Sequence, residues 1–146
     1  MILVSACLAG EPCRYNGTGC VCPAVAGLVS AGQALAVCPE LLGGLSTPRA
    51  PAEIVAGRVM TVDGDDVTDA YQAGAQLALK LAKQAGCRLA ILKARSPSCG
   101  CGQIYDGSFS GRLIPGNGVL AALLKAAGIT VLTEEDKIWG INETGD

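Results

Sequence analysis

The 146-residue chain contains no histidine. This absence excludes Ser-His-Asp triads, Cys-His dyads and zinc sites built on imidazole. Aromatic residues are also scarce: three Tyr, one Phe and one Trp are too few for the stacking platform of a single-strand-binding protein. The net charge of −2 gives no basic signature for duplex nucleic acid, and no apolar run is long enough to cross a membrane. We therefore expect neither duplex nucleic acid nor a membrane as a partner.

The composition is that of a folded domain. Hydrophobic residues make up 50% of the chain and charged residues 16%, which is not the composition of a disordered chain. The length corresponds to one domain, and neither an internal repeat nor a flexible linker interrupts it. We expect a single domain over residues 1–146, with residues 134–146 as a polar C-terminal tail.

Short apolar runs alternate with segments of helical spacing. Strands are predicted at 2–6, 34–37, 88–93 and 129–133, helices at 23–31, 66–85 and 117–127, and a small β arm at 53–65 with its turn at Asp63-Gly64. This order is typical of an α/β fold: a single three-layer Rossmann-like domain with a mainly parallel sheet of about four to five strands.

Two further expectations concern the segments between the strands. In helix 66–85 the predicted apolar stripe consists of Ala70, Ala73, Leu77, Leu81 and Ala85. Segments 8–22, 41–52 and 94–116 are rich in Gly and Pro and are predicted to be loops. At 23 residues the last is unusually long, so it is either functional or contains structure that the pattern does not reveal.

Eight cysteines are the most informative residues. They are Cys7, Cys13, Cys20, Cys22, Cys38, Cys87, Cys99 and Cys101. The N-terminal segment lacks the basic start and apolar length of a signal peptide, which disfavours a secreted disulfide framework. We expect a cytoplasmic protein, in which such cysteines indicate metal binding or catalysis.

Three of these cysteines follow predicted strands. Cys7 and Cys38 come directly after the first two, and Cys99 comes six residues after the third. Because the carboxyl ends of parallel strands meet at one edge, we expect the three thiols to converge on one crevice. The spacing matches neither the common iron–sulfur runs nor the paired Cys-x2-Cys of a zinc ribbon. Three thiolates leave one coordination position of the metal site open. The cysteine spacing alone favours neither an iron–sulfur cluster nor zinc over the other.

Five segments resemble a known family. They are 4–10 (VSACLAG), 13–17 (CRYNG), 37–45 (VCPELLGGL), 47–53 (TPRAPAE) and 92–100 (LKARSPSCG). Together they resemble the bacterial thiouracil desulfidases, and the resemblance extends from residue 1 to about 132. The sequence departs from the family pattern at Leu8-Ala9 and by the additional cysteines Cys20, Cys22 and Cys101.

The resemblance implies a 4Fe-4S cluster held by Cys7, Cys38 and Cys99, with the fourth iron free to take the substrate's sulfur. It also implies a catalytic carboxylate and a catalytic serine, for which the matching positions are Glu40 and Ser96. The implied activity is that of a desulfidase on a small molecule, a thiolated pyrimidine base or nucleotide. The C=S group becomes C=O and hydrogen sulfide is released.

The two catalytic candidates also have structural interpretations. With no histidine in the chain, Glu40 is the carboxylate nearest to a predicted ligand and is suited to act as general base, with Glu53 as the next candidate. Glu40 could instead pair with Arg49. Ser96 precedes a proline and could simply begin a turn.

Three arginines lie in the same three loops as the predicted ligands. Arg14, Arg49 and Arg95 either receive a substrate phosphate or belong to the solvated surface. A free base, a nucleotide and a thiolated tRNA all carry the same reactive group, so the sequence leaves the substrate open, and it leaves the oligomeric state open as well.

Two other classes of function compete with a desulfidase. One is a non-catalytic metal-binding or redox-sensing module that carries zinc or a cluster. The other is a thiol redox enzyme acting through Cys99-Gly-Cys101, which is disfavoured because the chain has no Cys-x-x-Cys motif.

Overall fold

The computed structural model describes residues 1–136. In chain order the strands are β1 (Ile2–Ser5), β2 (Ala34–Val37), β3 (Ala52–Val55), β4 (Arg58–Thr61), β5 (Leu89–Leu92), β6 (Gln103–Tyr105), β7 (Leu113–Pro115) and β8 (Thr130–Thr133). The helices are α1 (Pro23–Ser30), α2 (Pro39–Leu42), α3 (Thr68–Gln84) and α4 (Val119–Ala126). A short 3₁₀ turn, Ala6–Ala9, follows β1 directly.

The central sheet has four parallel strands in the order β2-β1-β5-β8. This confirms the predicted α/β fold and its mainly parallel sheet. The chain moves from β1 to one side for β2 and then to the other side for β5 and β8. The carboxyl ends of β1 and β5 therefore lie at the point where the strand order reverses, which is where open α/β sheets bind ligands.

Helices cover both faces of this sheet. Leu3 and Val4 are adjacent on β1 and are both fully buried, but they belong to two different apolar clusters. Leu3 packs in the cluster that contains α3 and α4, and Val4 packs in the cluster that contains Val25 of α1. Successive side chains of a strand point to opposite faces, so the two clusters are the two sides of a three-layer domain.

The predicted stripe of α3 is confirmed at Leu81 and Ala85, which pack against the core, and is wrong at Ala73 and Leu77. Leu77 is 45% exposed and Ala73 is also exposed, whereas Tyr71, Ala75 and Ala78 are buried. The buried face of α3 is the one that packs on α2 and α4 and on sheet residues such as Leu3 and Leu92. Because both candidate stripes consist mostly of alanine and leucine, the hydrophobic pattern alone could not select between them.

The predicted loops contain regular structure. The 94–116 segment includes the antiparallel hairpin of β6 and β7, and α2 begins directly after Cys38.

The predicted β arm is the hairpin of β3 and β4, but its turn is at Ala56-Gly57, where both residues have positive φ, rather than at Asp63-Gly64. Two successive left-handed residues form the tight turn that antiparallel strands prefer.

The beginning of the predicted polar tail contacts the sheet edge. Glu134 forms an ion pair of 3.0 Å with Lys93, and its other oxygen accepts the backbone N–H of Ala94 at 2.8 Å. Residues 137–146 of the predicted tail lie outside the described residues. Within residues 1–136, no helix has the length and apolar character needed to cross a membrane.

Candidate active site

The three cysteines that follow β1, β2 and β5 line one cavity of about 440 Å³. Cys7 lies in the 3₁₀ turn after β1, Cys38 lies between β2 and α2, and Cys99 lies in the turn after β5. Cys7 and Cys99 are buried, while Cys38 is half-buried. The convergence expected from the strand order is therefore present at the carboxyl edge of the sheet.

Burial also dominates the acidity of these thiols. It raises the pKa of Cys7 to about 12, and the neighbouring Cys20 and Cys38 add to the rise, while Lys93 opposes it. Burial likewise raises the pKa of Cys99 well above its ordinary value, with further contributions from Cys7 and Cys38. The thiols are thus close enough to influence one another's charge, and Lys93 supplies a positive charge beside them.

The donor set fits a cluster of several metal ions. Iron–sulfur clusters are held by cysteine thiolates, which are soft ligands. Three such thiols, each following a different strand, line this one cavity.

A fourth thiol lines the same cavity. Cys13 is 5% exposed, and the Cys38 thiol lies 3.9 Å from its carbonyl oxygen. Burial raises the pKa of Cys13 to about 12, and the nearby Cys38 contributes to the rise. The sequence pattern placed Cys13 in the loop of the first predicted ligand but could not indicate that it lies against the second.

The remaining cysteines do not line the cavity. Cys22 precedes α1, Cys87 precedes β5 and is buried, and the Cys101 thiol contacts the carbonyl oxygen of Val131 at 3.5 Å. Cys20 lies near Cys7 without reaching the cavity surface. All eight cysteines are free thiols.

Glu40 lines the cavity and forms an ion pair with Arg49 through its Oε2. The pairing that the sequence offered as a structural interpretation is thus observed. The other carboxylate oxygen, Oε1, accepts no hydrogen bond from residues 1–136. Burial raises the pKa of Glu40 above its ordinary value, and the Arg49 guanidinium opposes that rise.

Ser96 also lines the cavity, and it holds the turn that carries Cys99. Its Oγ accepts the backbone N–H groups of Ser98 and Cys99, each at 3.1 Å. The turn-forming interpretation is therefore observed as well. Since a hydroxyl group can donate one hydrogen bond while accepting others, the Ser96 hydrogen is still available for a ligand.

The three candidate arginines differ in what surrounds them. The Arg49 guanidinium donates to the carbonyl oxygen of Cys13 at 3.0 Å in addition to its pair with Glu40, and it does not line the cavity. Arg95 lines the cavity but forms a two-pronged ion pair with Glu135, at 2.8 Å for each bond. The side chain of Arg14 lines the cavity and has no polar partner among residues 1–136.

Several cavity residues escaped the sequence analysis. Lys93 directly follows β5. A basic residue at the carboxyl end of a predicted strand is a sequence feature that could have identified it as a cavity residue. Tyr71, Tyr105 and Phe109 also line the cavity, but they come from a helix, a strand and a loop that no common motif links. Glu53, which the sequence offered as the second candidate for the base, lines the cavity from strand β3 of the arm.

Comparisons with known proteins agree on one family. A family model described as 2-thiouracil desulfurase matches residues 2–136. A Bacillus subtilis (strain 168) protein described as uncharacterized protein YbbK is 49% identical, over 93% of this chain and 97% of its own length. A solved structure, described as the 4Fe-4S-dependent thiouracil desulfidase TudS, has a TM-score of 0.89 and 46% identity, and the match covers 98% of this chain and 95% of that one.

Proposed function

Because the chain belongs to the 2-thiouracil desulfurase family, we propose that it converts the C=S group of a thiolated pyrimidine base or nucleotide into C=O. Water supplies the oxygen, and hydrogen sulfide leaves, so that no net oxidation or reduction occurs. The protein is a 4Fe-4S-dependent thiouracil desulfidase. The observation that carries the proposal is one cavity at the sheet edge, lined by three strand-end thiols together with a carboxylate and a hydroxyl.

Cys7, Cys38 and Cys99 are the proposed cluster ligands. Each follows a different parallel strand, and all three line the cavity. When bound, the cluster would supply an iron with a free coordination position for the substrate's sulfur, and as a Lewis acid it would polarise the C=S bond. Lys93, which lies near Cys7 and pairs with Glu134, provides positive charge beside the thiolates.

Glu40 is the proposed general base. Arg49 holds Oε2, which fixes the carboxylate, while Oε1 is left to accept a proton from the attacking water. Burial raises the pKa of Glu40 above its ordinary value, and the Arg49 guanidinium opposes that rise and so favours the deprotonated form. A base must be deprotonated to act, so the pairing with Arg49 supports the catalytic role rather than replacing it.

Ser96 is the proposed proton donor to the substrate. Its Oγ accepts hydrogen bonds from two backbone N–H groups, which fix the position of the oxygen. The hydroxyl hydrogen is not used in these bonds. That hydrogen can be hydrogen-bonded to a ring nitrogen or passed to the departing sulfur as the tetrahedral carbon collapses to C=O, and the proton that Glu40 takes from water replaces it in the overall balance.

A small molecule suits the site. The cavity volume of about 440 Å³ lies within the ordinary range of ligand pockets. The guanidinium of Arg14, which has no polar partner among residues 1–136, is suited to a substrate phosphate, whereas Arg49 and Arg95 already hold carboxylates. Eight free thiols further support a cytoplasmic location.

The test is anaerobic reconstitution followed by metal analysis and a sulfide-release assay. The substrates are 2-thiouracil, 4-thiouracil and 4-thiouridine monophosphate, and Cys99→Ala, which lacks one proposed ligand, is the control, with its folded fraction checked by circular dichroism. We expect about four irons per chain and release of sulfide by the wild type alone. A protein that binds zinc only, or an iron-loaded protein that releases no sulfide from any of these compounds, would contradict the proposal.

A further inference from the structure

All tyrosines and the single phenylalanine of this chain line the cavity that holds the three thiols. These residues are Tyr15, Tyr71, Tyr105 and Phe109. Tyr71 and Tyr105 interact through their hydroxyl groups with Arg49 and Arg95. The side chain of Phe109 has no polar atom, so it offers the cavity only an apolar ring.

The backbone of Phe109 is unusual. Its φ of 57° is in the left-handed region, where a bulky side chain is a genuine outlier. Within residues 1–136, the other non-glycine residues with positive φ are Ala56, in the hairpin turn, and Arg95, which also lines the cavity. Such conformations persist only where the surroundings impose them, and they concentrate at ligand sites.

Glu53 imposes the conformation of this loop. Its Oε1 accepts the backbone N–H groups of Gly107, at 3.0 Å, and Phe109, at 3.1 Å. Gly107 lies so close to β3 that a Cβ atom there would be 2.6 Å from Cγ2 of Val55 and 2.9 Å from the carbonyl oxygen of Ile54. One carboxylate oxygen therefore fixes the loop between β6 and β7 onto the arm and holds the ring of Phe109 at the cavity.

We propose that Phe109 determines specificity by stacking on the planar heterocycle of the substrate, and that Glu53 is the residue that positions it. The inference rests on the proposed function and identifies what the site selects: a flat thiolated ring rather than any thiocarbonyl compound. Stacking on an aromatic side chain tolerates different bases, because every base has a π face. A puckered ring presents no such face.

The first test is equilibrium dialysis of the reconstituted holoenzyme with uracil, which is planar, and 5,6-dihydrouracil, which is puckered. The wild type should prefer uracil, and Phe109→Leu should weaken uracil binding roughly 5- to 100-fold, with little effect on dihydrouracil. Ser110→Ala, at an exposed position of the same loop, is the matched control. The absorbance of the cluster shows that each variant is intact.

This measurement is independent of catalysis. No preference for uracil in the wild type, or an unchanged preference in Phe109→Leu, would overturn the stacking role even if sulfide is released. Conversely, a preference that depends on Phe109 in a protein that releases no sulfide would contradict the proposed function alone.

The second test separates positioning by Glu53 from a role as base. Glu53→Gln retains an oxygen that can accept both N–H groups, so uracil binding and turnover should remain within about threefold of the wild type. Glu53→Leu has no acceptor and should lose uracil binding as Phe109→Leu does. A loss of turnover on the order of 10²-fold in Glu53→Gln with unchanged uracil binding would make Glu53 a base and overturn its positioning role.

Discussion

Gly74 of α3 faces the carbonyl oxygen of Pro39 so closely that a Cβ atom at Gly74 would overlap it. Gly43, just after α2, is held in the same way against the carbonyl oxygen of Ala70. Two glycines thus allow the short helix α2 to lie directly on α3. Pro39 stands between Cys38 and Glu40, so this contact sets the position of a proposed ligand and of the proposed base.

Replacing Gly74 with alanine should move α2 away from α3. Overpacking of this kind costs about 1–3 kcal/mol, and we expect that loss in the free energy of unfolding measured with urea. Iron content after reconstitution should also fall because Cys38 moves with α2. The matched control is Gly27→Ala in α1, where a Cβ atom meets nothing within 4 Å. That change should stabilise the protein by about 0.4–1 kcal/mol, and an equal effect of the two substitutions would argue against a steric cause.

The proposed ligands can be tested one at a time. Alanine at position 7, 38 or 99 should abolish the cluster absorbance near 400 nm, because two thiolates do not hold a cubane stably. Cys87→Ala and Cys22→Ala serve as controls, since neither residue lines the cavity. Cys13 is the sharpest comparison because it lies against Cys38. Loss of the cluster in Cys13→Ala but not in Cys7→Ala would show that the first ligand is Cys13.

Glu40→Gln should separate binding from turnover. The glutamine keeps an oxygen that can accept from Arg49 but no longer takes a proton from water. We expect turnover to fall on the order of 10²- to 10⁴-fold while the cluster absorbance and the KM are retained. Arg49 loses the charge of its partner, so the folded fraction is checked by circular dichroism. Near-wild-type turnover with an intact cluster would place the base elsewhere.

Arg14 is expected to recognise a substrate phosphate. Arg14→Gln should raise the KM for 4-thiouridine monophosphate by about tenfold, with no change for 2-thiouracil, because only the nucleotide carries the phosphate. Arg95→Gln is the comparison, since the guanidinium of Arg95 already binds Glu135. If Arg14→Gln affects both substrates equally, its role is structural.

Asp66 should make stability depend on pH at the acid end. Hydrogen bonds from Thr68 and the ion pair with Arg58 lower the pKa of Asp66 to about 2 from an ordinary 3.8. The stabilisation is therefore complete above pH 4 and is lost as the pH falls through about 2. Urea unfolding should show the wild type to be more stable than Asp66→Asn at pH 7, with the difference closing at low pH. Asp63→Asn, in the exposed turn, is the control, and a difference that does not change with pH would contradict the assignment.

The sequence was sufficient to predict the parallel sheet and the position of the three thiols at its edge. Strands such as Ala34–Val37 are short continuous apolar runs, which is the pattern of a strand buried on both faces. Once the strands are known to be parallel, Cys7 and Cys38 must share an edge, because both directly follow strands. The family resemblance added the cluster and the activity, which spacing alone left open between iron–sulfur and zinc.

What the sequence could not predict depends on contacts between distant residues. The bond from Glu53 to Phe109 joins residues that are 56 positions apart, and neither residue type signals a partner. The pairing of Glu40 with Arg49 was only one of two interpretations, because a nearby opposite charge in a loop does not fix which way either side chain points. The buried face of α3 was assigned wrongly at Ala73 and Leu77 for a similar reason: the close contact of Gly74 with α2 selects that face, and hydrophobicity does not.

The placement of the three thiols after β1, β2 and β5 also makes the cofactor a cross-link. With Cys7, Cys38 and Cys99 as ligands, one inorganic core closes two long loops of the chain and ties three neighbouring strands together at one end. Closing long loops removes conformational entropy from the unfolded chain, so the loaded protein resists unfolding more than the metal-free one. Thermal stability will therefore report cluster loss, and oxidation that destroys activity will at the same time weaken the fold.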